Sequence, residues 1–282
     1  MICCRNVRKS FQGNTVLQDI HLSIQKGEIF GLLGPSGAGK TTLIKILTGQ
    51  LSFDRGNVNV FEKEVCDLSG EDKKKIGIMM DQFGVYERLS CADNLKIYAD
   101  IYGIPKDRVP EILKEVGLEK ATKTLAGDLS KGMRARLQLA RVFMHSPDIL
   151  FLDEPTSGLD PQSMKAIHHI ITEKKKAGCT IFLTTHNMEE AYVLCDQVAL
   201  LNDGIIVEKG RPEEICRKYN HQKKIKIHLS SGEDVEFDQN KECVKAIYEL
   251  MQSGELETIH SSEPTLETVF LELTGRNLKE EM

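Results

Sequence analysis

The stretch that most constrains this chain is Gly34-Pro35-Ser36-Gly37-Ala38-Gly39-Lys40-Thr41, which fits the pattern G-x-x-x-x-G-K-[ST]. The apolar run Ile29 to Leu33 before it reads as a short buried strand, and Thr41-Thr42-Leu43-Ile44-Lys45-Ile46-Leu47 after it reads as a helix. Glycines at Gly34, Gly37 and Gly39 admit torsions that a β-carbon forbids, so successive N–H groups turn inward toward one anion. The helix N-terminus adds its positive dipole end. Lys40 then reaches the β- and γ-phosphates of a nucleotide, and the Thr41 hydroxyl ligates Mg²⁺. A glycine-rich turn with a stray Lys-Thr is the bland alternative, and the rest of the chain decides against it.

A length of 282 residues suits one large α/β domain plus a small one. The formal net charge of -5 gives no global basic footprint, so no nucleic acid is expected as the main ligand. The longest apolar runs, Ile29 to Leu33 and Ile149 to Leu152, fall far short of the about 20 residues that span a bilayer. Any membrane role is therefore expected to come through a partner. Met1-Ile2-Cys3-Cys4-Arg5 lacks the charged-then-apolar layout of a secretory signal, which predicts a cytoplasmic protein. Eight cysteines form no C-x-x-C pair; Cys66, Cys179, Cys195 and Cys243 stand singly, as expected of reduced, mostly buried thiols. Cys3 and Cys4, adjacent on a first strand, should point to opposite faces.

Residues from about Ile2 to Ile24 alternate as antiparallel strands broken at Gly13-Asn14, with Phe11 among them. Strands follow at Gly56 to Val60 and Ile76 to Asp81, their connector ending in a solvated Lys73-Lys74-Lys75. Helical patterns cover Cys91 to Tyr102 and Val109 to Val116, parted by Gly103 and Pro105, and then Ser130 to His145. The apolar strand Ile149 to Leu152 ends in Asp153-Glu154, and a helix runs from Pro161 to Lys176. Thr180 to Thr184 leads to His186, and Val198 to Leu201 with Ile205 to Val207 form a hairpin about Asp203-Gly204. This alternation predicts a mostly parallel sheet. From about Tyr219 the pattern changes to a second hairpin about Ser231-Gly232, a helix from Glu242 to Met251, and a last helix opened by Pro264. The division expected is 1–218 and 219–282.

Phosphoryl transfer needs Mg²⁺, donors and a positioned water around the γ-phosphate, at the carboxyl ends of strands. Asp153 is placed there to hold the Mg²⁺ shell, and Glu154 to orient, or take a proton from, the attacking water. A solvated acidic turn is the alternative.

Taken in order, the phosphate loop, Gln82 after a strand, Leu129-Ser130-Lys131-Gly132-Met133, Leu152-Asp153-Glu154-Pro155, Ser157-Gly158-Leu159-Asp160 and Thr185-His186 resemble the motifs of ATP-binding cassette proteins over about Ile2 to Lys218. The resemblance implies a P-loop NTPase fold of the cassette type: α/β with a mostly parallel sheet core, an antiparallel β subdomain and a helical subdomain, followed by a small α+β C-terminal domain. It implies that Gly34 to Thr42 hold ATP and that Thr41, Gln82 and Asp153 hold Mg²⁺. Glu154, His186, Lys40 and Gln82 then serve hydrolysis. His186 is similar to the histidine that bonds the γ-phosphate and steadies Glu154, and Asp160 to an aspartate that reaches across a dimer. Ser130 and Gly132 resemble groups that face a γ-phosphate held by the other subunit, although an ordinary N-cap also explains Ser130. Phe11 resembles an adenine-stacking aromatic, with core packing as its alternative. For Gln82 the alternative is a surface glutamine. The usual L-S-G-G-Q is altered at Lys131 and Met133, which bears on closure and ribose contact. His168 and His169 lack such context and read as surface or packing residues.

Glu263-Pro264-Thr265-Leu266 through Gly275 is similar to the C-terminal domain of cassettes serving drug and antibiotic-resistance exporters with a separate permease chain. The expectation is an ATPase subunit, a homodimer or a heterodimer with another cassette, peripheral on the inner face of the membrane through that permease. A guanine-nucleotide switch is a second reading. It lacks an N-K-x-D motif, and Asp67-Leu68-Ser69-Gly70 fits only the short D-x-x-G. A soluble cassette of translation or DNA repair is a third, against which stand the single cassette and the lack of a long coiled coil.

Overall fold

The computed structural model describes residues 1–80, 84–221, 223–261 and 263–275. They fall into two compact units, one over residues 1–211 and one beginning at Pro212. Helix Pro212–Lys218 thus goes with the second unit, ahead of the expected division at 218.

In chain order the first unit comprises β1 (Ile2–Phe11), β2 (Asn14–Ile24), β3 (Ile29–Leu33), α1 (Lys40–Leu47), β4 (Arg55–Val60), β5 (Lys63–Glu64), α2 (Gly70–Lys73), β6 (Ile76–Met79), α3 (Cys91–Tyr102), α4 (Arg108–Glu115), α5 (Lys131–Phe143), β7 (Ile149–Asp153), α6 (Pro161–Lys176), β8 (Thr180–Thr185), α7 (Met188–Leu194), β9 (Gln197–Asn202) and β10 (Ile205–Gly210). A six-stranded sheet has the order β10-β9-β3-β8-β7-β6, parallel except for the edge strand β10. Its central strands are apolar almost throughout, as a parallel sheet covered on both faces requires. Phe182 of β8 lies between Phe30 of β3 and Phe151 of β7, with ring centroids 5.8 and 5.6 Å apart. Each such ring contributes about 2–3 kcal/mol by burial.

A second sheet, β2-β1-β4-β5, is antiparallel. Its first hairpin turns at Gln12-Gly13, one residue before the expected break, with φ of 48° and 87°. Asp203-Gly204 turns the β9–β10 hairpin with φ of 46° and 77°. Both are the primed turn that matches strand twist. Helices α3, α4 and α5 pack on one another beside these sheets. In α6, Asp160 caps the N-terminus, Pro161 opens the first turn, and Lys174, Lys175 and Lys176 meet the dipole at the other end. Asp67-Leu68-Ser69-Gly70 has a local explanation: Ser69 and Asp72 form a capping box for α2.

The second unit holds α8 (Pro212–Lys218), β11 (Lys224–Leu229), β12 (Asp234–Asp238), α9 (Lys241–Ser253), β13 (Leu256–Ser261) and α10 (Leu266–Thr274). Its sheet is antiparallel in the order β12-β11-β13, and the third strand was not expected from sequence. Leu266, Val269 and Phe270 bury one face of α10. Cys66 is exposed, against expectation, whereas Cys179, Cys195 and Cys243 are buried; Cys3 is half-buried and Cys4 buried. Burial pushes the Cys4 and Cys179 thiols up to about 12. Among the described residues no helix is long and apolar enough to cross a membrane.

Candidate functional site

Strand register sets the site. Leu33 at the end of β3 pairs with Thr185, and Asp153 at the end of β7 pairs with Thr184, so three strand ends open onto the loop that joins β3 to α1. Gly37 and Gly39 have left-handed φ of 80° and 106°. Gly34 does not: a β-carbon there would lie 2.2 Å from the Leu201 carbonyl oxygen, so close approach rather than torsion demands glycine.

Lys40 begins α1 with its side chain only 8 % exposed. Its ammonium donates to the carbonyls of Gly34 at 2.7 Å and Pro35 at 3.1 Å, and lies 3.3 Å from Glu154 Oε1. A buried ammonium needs such partners. Beside it, Thr41 Oγ1 donates to Asp153 Oδ2 at 2.7 Å, and Thr184 Oγ1 donates to Asp153 Oδ1. Hard oxygens from a hydroxyl and a carboxylate, set at the mouth of a phosphate loop, are the donor set that Mg²⁺ shares with waters and phosphates. The residues present fit that ion.

Glu154 follows with φ of 50°, a left-handed conformation that costs a residue with a β-carbon roughly 1–3 kcal/mol. Its N–H donates to Thr184 at the carbonyl, 3.1 Å, and the hydroxyl, 3.2 Å. Glu154 Oε2 lies 2.7 Å from His186 Nδ1. Lys40, Glu154 and His186 are thus joined side chain to side chain.

Behind this group sits a carboxylate that sequence reasoning missed. Glu190 of α7 is fully buried and accepts from Thr156 Oγ1 at 2.6 Å, Thr185 Oγ1 at 2.8 Å and His168 Nε2 at 2.9 Å. Burial pushes its carboxyl up, but the bonds from His168, Thr156 and Thr185 outweigh burial and hold it below the ordinary glutamate value. His168 is accordingly a largely buried hydrogen-bond partner of that carboxylate, not a surface residue. The one available signal was Thr184-Thr185, two hydroxyls closing an apolar strand.

Ser130 caps α5, accepting from Met133 N–H at 3.2 Å. Asp160 caps α6, accepting from Ser163 N–H at 2.9 Å and Ser163 Oγ at 2.6 Å; these bonds hold its carboxyl below the usual aspartate range. Gly132 is buried against the same serine, since a β-carbon there would lie 2.1 Å from Ser163 Oγ. The two capped ends are therefore neighbours. Lys131 reaches Gly158, whose β-carbon would lie 2.3 Å from the ammonium. Ser36, Lys40, Thr41, Lys131, Asp153 and Glu154 line a cleft of about 430 Å³. Pro35, Ala38 and Thr42 belong to the same loop and first turn. Phe11 stands at the end of β1, 42 % exposed with the Lys9 ammonium 5.1 Å from its ring centroid, so it is not a core residue. Gln82 lies outside the described residues.

The ABC transporter family model matches residues 17–157. A fluoroquinolones export ATP-binding protein of Mycobacterium tuberculosis is 39% identical over 266 residues, covering 93% of this chain and 88% of that protein. A methionine import ATP-binding protein of Clostridium acetobutylicum is 37% identical over 244 residues, 83% of this chain and 76% of that protein. Among solved structures, a dimeric post-hydrolysis state of an ATP-binding cassette bound to ADP and Pi superposes with a TM-score of 0.67 at 25% identity, over 75% of this chain and 98% of that one.

Proposed function

Because the chain belongs to the ABC transporter family, as an ATP-hydrolysing subunit that binds ATP and Mg²⁺, we propose that it powers export through a separate permease chain, as a dimer closed around two ATP molecules. The observation that carries this reading is the linked set of side chains Lys40–Glu154–His186, whose first two members line one cleft with the Thr41–Asp153 pair. Lys40 holds the β- and γ-phosphates with its ammonium, and the backbone N–H groups of the loop and first turn, from Ser36 to Thr42 apart from Ala38, share that load. Thr41 and Asp153, with Gln82, would hold Mg²⁺, which would supply positive charge against the β- and γ-phosphates. Glu154 orients a water and accepts its proton as the water oxygen bonds to the γ-phosphorus. The bond from that phosphorus to the bridging oxygen breaks, and ADP and inorganic phosphate leave. His186 steadies the Glu154 carboxylate and bonds the γ-phosphate. Phe11, exposed at the end of β1, stacks on adenine.

Across the dimer, Ser130, Gly132 and Asp160 present the ends of α5 and α6 to the partner's ATP. Since the Ser130 oxygen accepts from Met133 N–H, its own hydrogen is left to donate to a phosphate oxygen. Export is favoured over import by the export relative, which matches 93% of this chain against 83% for the import relative.

The test is Glu154→Gln, whose amide keeps the shape but is a poor proton acceptor. With Mg-ATP it should bind nucleotide, lose turnover and form a dimer by light scattering. Co-purified with its permease in vesicles, the wild type should move substrate outward and the variant should not. A variant that binds ATP but stays monomeric at every concentration refutes the composite site.

A further inference from the structure

Glu154 and His186 sit on loops that regular structure does not hold. Glu154 is left-handed just past β7, and His186 lies between β8 and α7. Two residues beyond Glu154 stands Thr156, and immediately before His186 stands Thr185, both buried. Their hydroxyls donate to the two oxygens of one carboxylate, Glu190 Oε1 at 2.6 Å and Oε2 at 2.8 Å. His168 of α6 supplies a third contact to Oε1 at 2.9 Å. The second loop is closed on itself as well: Asn187 N–H donates to Thr185 Oγ1 at 3.0 Å, and Glu190 N–H donates to Asn187 Oδ1 at 3.1 Å. Glu190 is fully buried, so it meets neither nucleotide nor water in the cleft. Packing alone would be served as well by an apolar side chain, without the penalty of burying a charge.

We propose that Glu190 is a positioning residue of ATP hydrolysis: through Thr156 and Thr185 it locks the two loops that carry Glu154 and His186 into one geometry. The inference rests on the catalytic reading of that pair. Its force comes from how steeply hydrolysis depends on placement, since a shift of about 1 Å costs on the order of a hundredfold in rate. Phosphate binding by the β3–α1 loop involves none of these groups, so rate and affinity should separate.

Turnover of the purified full chain, with ATP binding measured separately, tests this. Thr185→Val should lower kcat about tenfold or more while KM for ATP stays within about twofold. Thr185→Ser, which keeps the hydroxyl, should restore most of the rate. Glu190→Gln keeps the shape but gives up one acceptor, and should lie between wild type and Thr185→Val. In a His186→Ala background, Thr185→Val should cost much less than it does alone, because the group it positions is gone. A folded, ATP-binding Thr185→Val with wild-type kcat overturns the proposal, as does a serine variant no better than valine or an undiminished effect beside His186→Ala. If Glu154→Gln and His186→Ala themselves turn over normally, the catalytic reading falls and this inference with it. If those two fail and Thr185→Val does not, only this inference falls.

Discussion

Gly132→Ala isolates what the glycine does for the packing of its own chain from the contact proposed for it across a dimer. A β-carbon at that position would lie 2.1 Å from Ser163 Oγ and 2.6 Å from Ser163 Cβ, both below any normal contact. Turning the serine hydroxyl aside breaks its 2.6 Å bond to Asp160 Oδ2 and still leaves the Cβ clash. Overpacking of this kind costs about 1–3 kcal/mol. Against it stands a gain of at most about 1 kcal/mol for alanine over glycine in a helix. The clash wins, and the net loss should be about 1 kcal/mol, or about 2–4 °C in Tm for a unit of this size. Thermal unfolding followed by far-ultraviolet circular dichroism, without nucleotide, measures it. Ser163→Gly removes both clashing atoms, so the double variant should be less destabilised than the sum of the singles by about 1 kcal/mol. Gly132→Ala at or above wild-type stability, or strict additivity with Ser163→Gly, refutes the packing argument.

Two further outcomes are expected. Lys40→Ala should lose most ATP turnover, because the phosphates lose their point charge and a charge-assisted contact contributes about 1.5–3 kcal/mol; phosphate release by the purified chain checks this, and near-normal turnover would remove Lys40 from its role. In the second unit, the bond that His228 donates to the Asp234 carboxylate raises the pKa of His228, with Glu257 adding to it. A raised folded value means stabilisation that is fully present below the unfolded pKa of about 6.5 and is lost as pH rises through the folded one. Melting of wild type and His228→Gln should therefore differ at pH 5.5 and converge by pH 8.5, and an equal difference at both pH values would contradict the assignment.

The parts of the site that are written in consecutive residues are legible in the sequence alone. Gly34 to Thr41 and the Asp153-Glu154 strand end carry their chemistry in local spacing, and their flanking strand and helix follow from apolar periodicity. Even there one physical reason differs: Gly34 meets Leu201 from a strand far along the chain, which no local pattern reports. Glu190 is illegible for the same reason. Its donors come from α6, the loop after β7 and the end of β8, and only the register of Asp153 against Thr184 brings them together. Helix α7, seven residues long, is too short to show a period. Motifs point to Ser130, Gly132 and Asp160, but not to Ser163, which Gly132 and Asp160 both touch.

Helix α6 carries Asp160 as its N-cap and His168 on its body. Eight residues at a rise of 1.5 Å set these two about 12 Å apart along the axis. His168 contacts the Glu190 carboxylate, which also accepts from Thr156 and Thr185, residues close in sequence to Glu154 and His186. In the proposed composite site, the α6 end that faces a neighbour's nucleotide and the His168 contact with Glu190 would belong to one and the same helix.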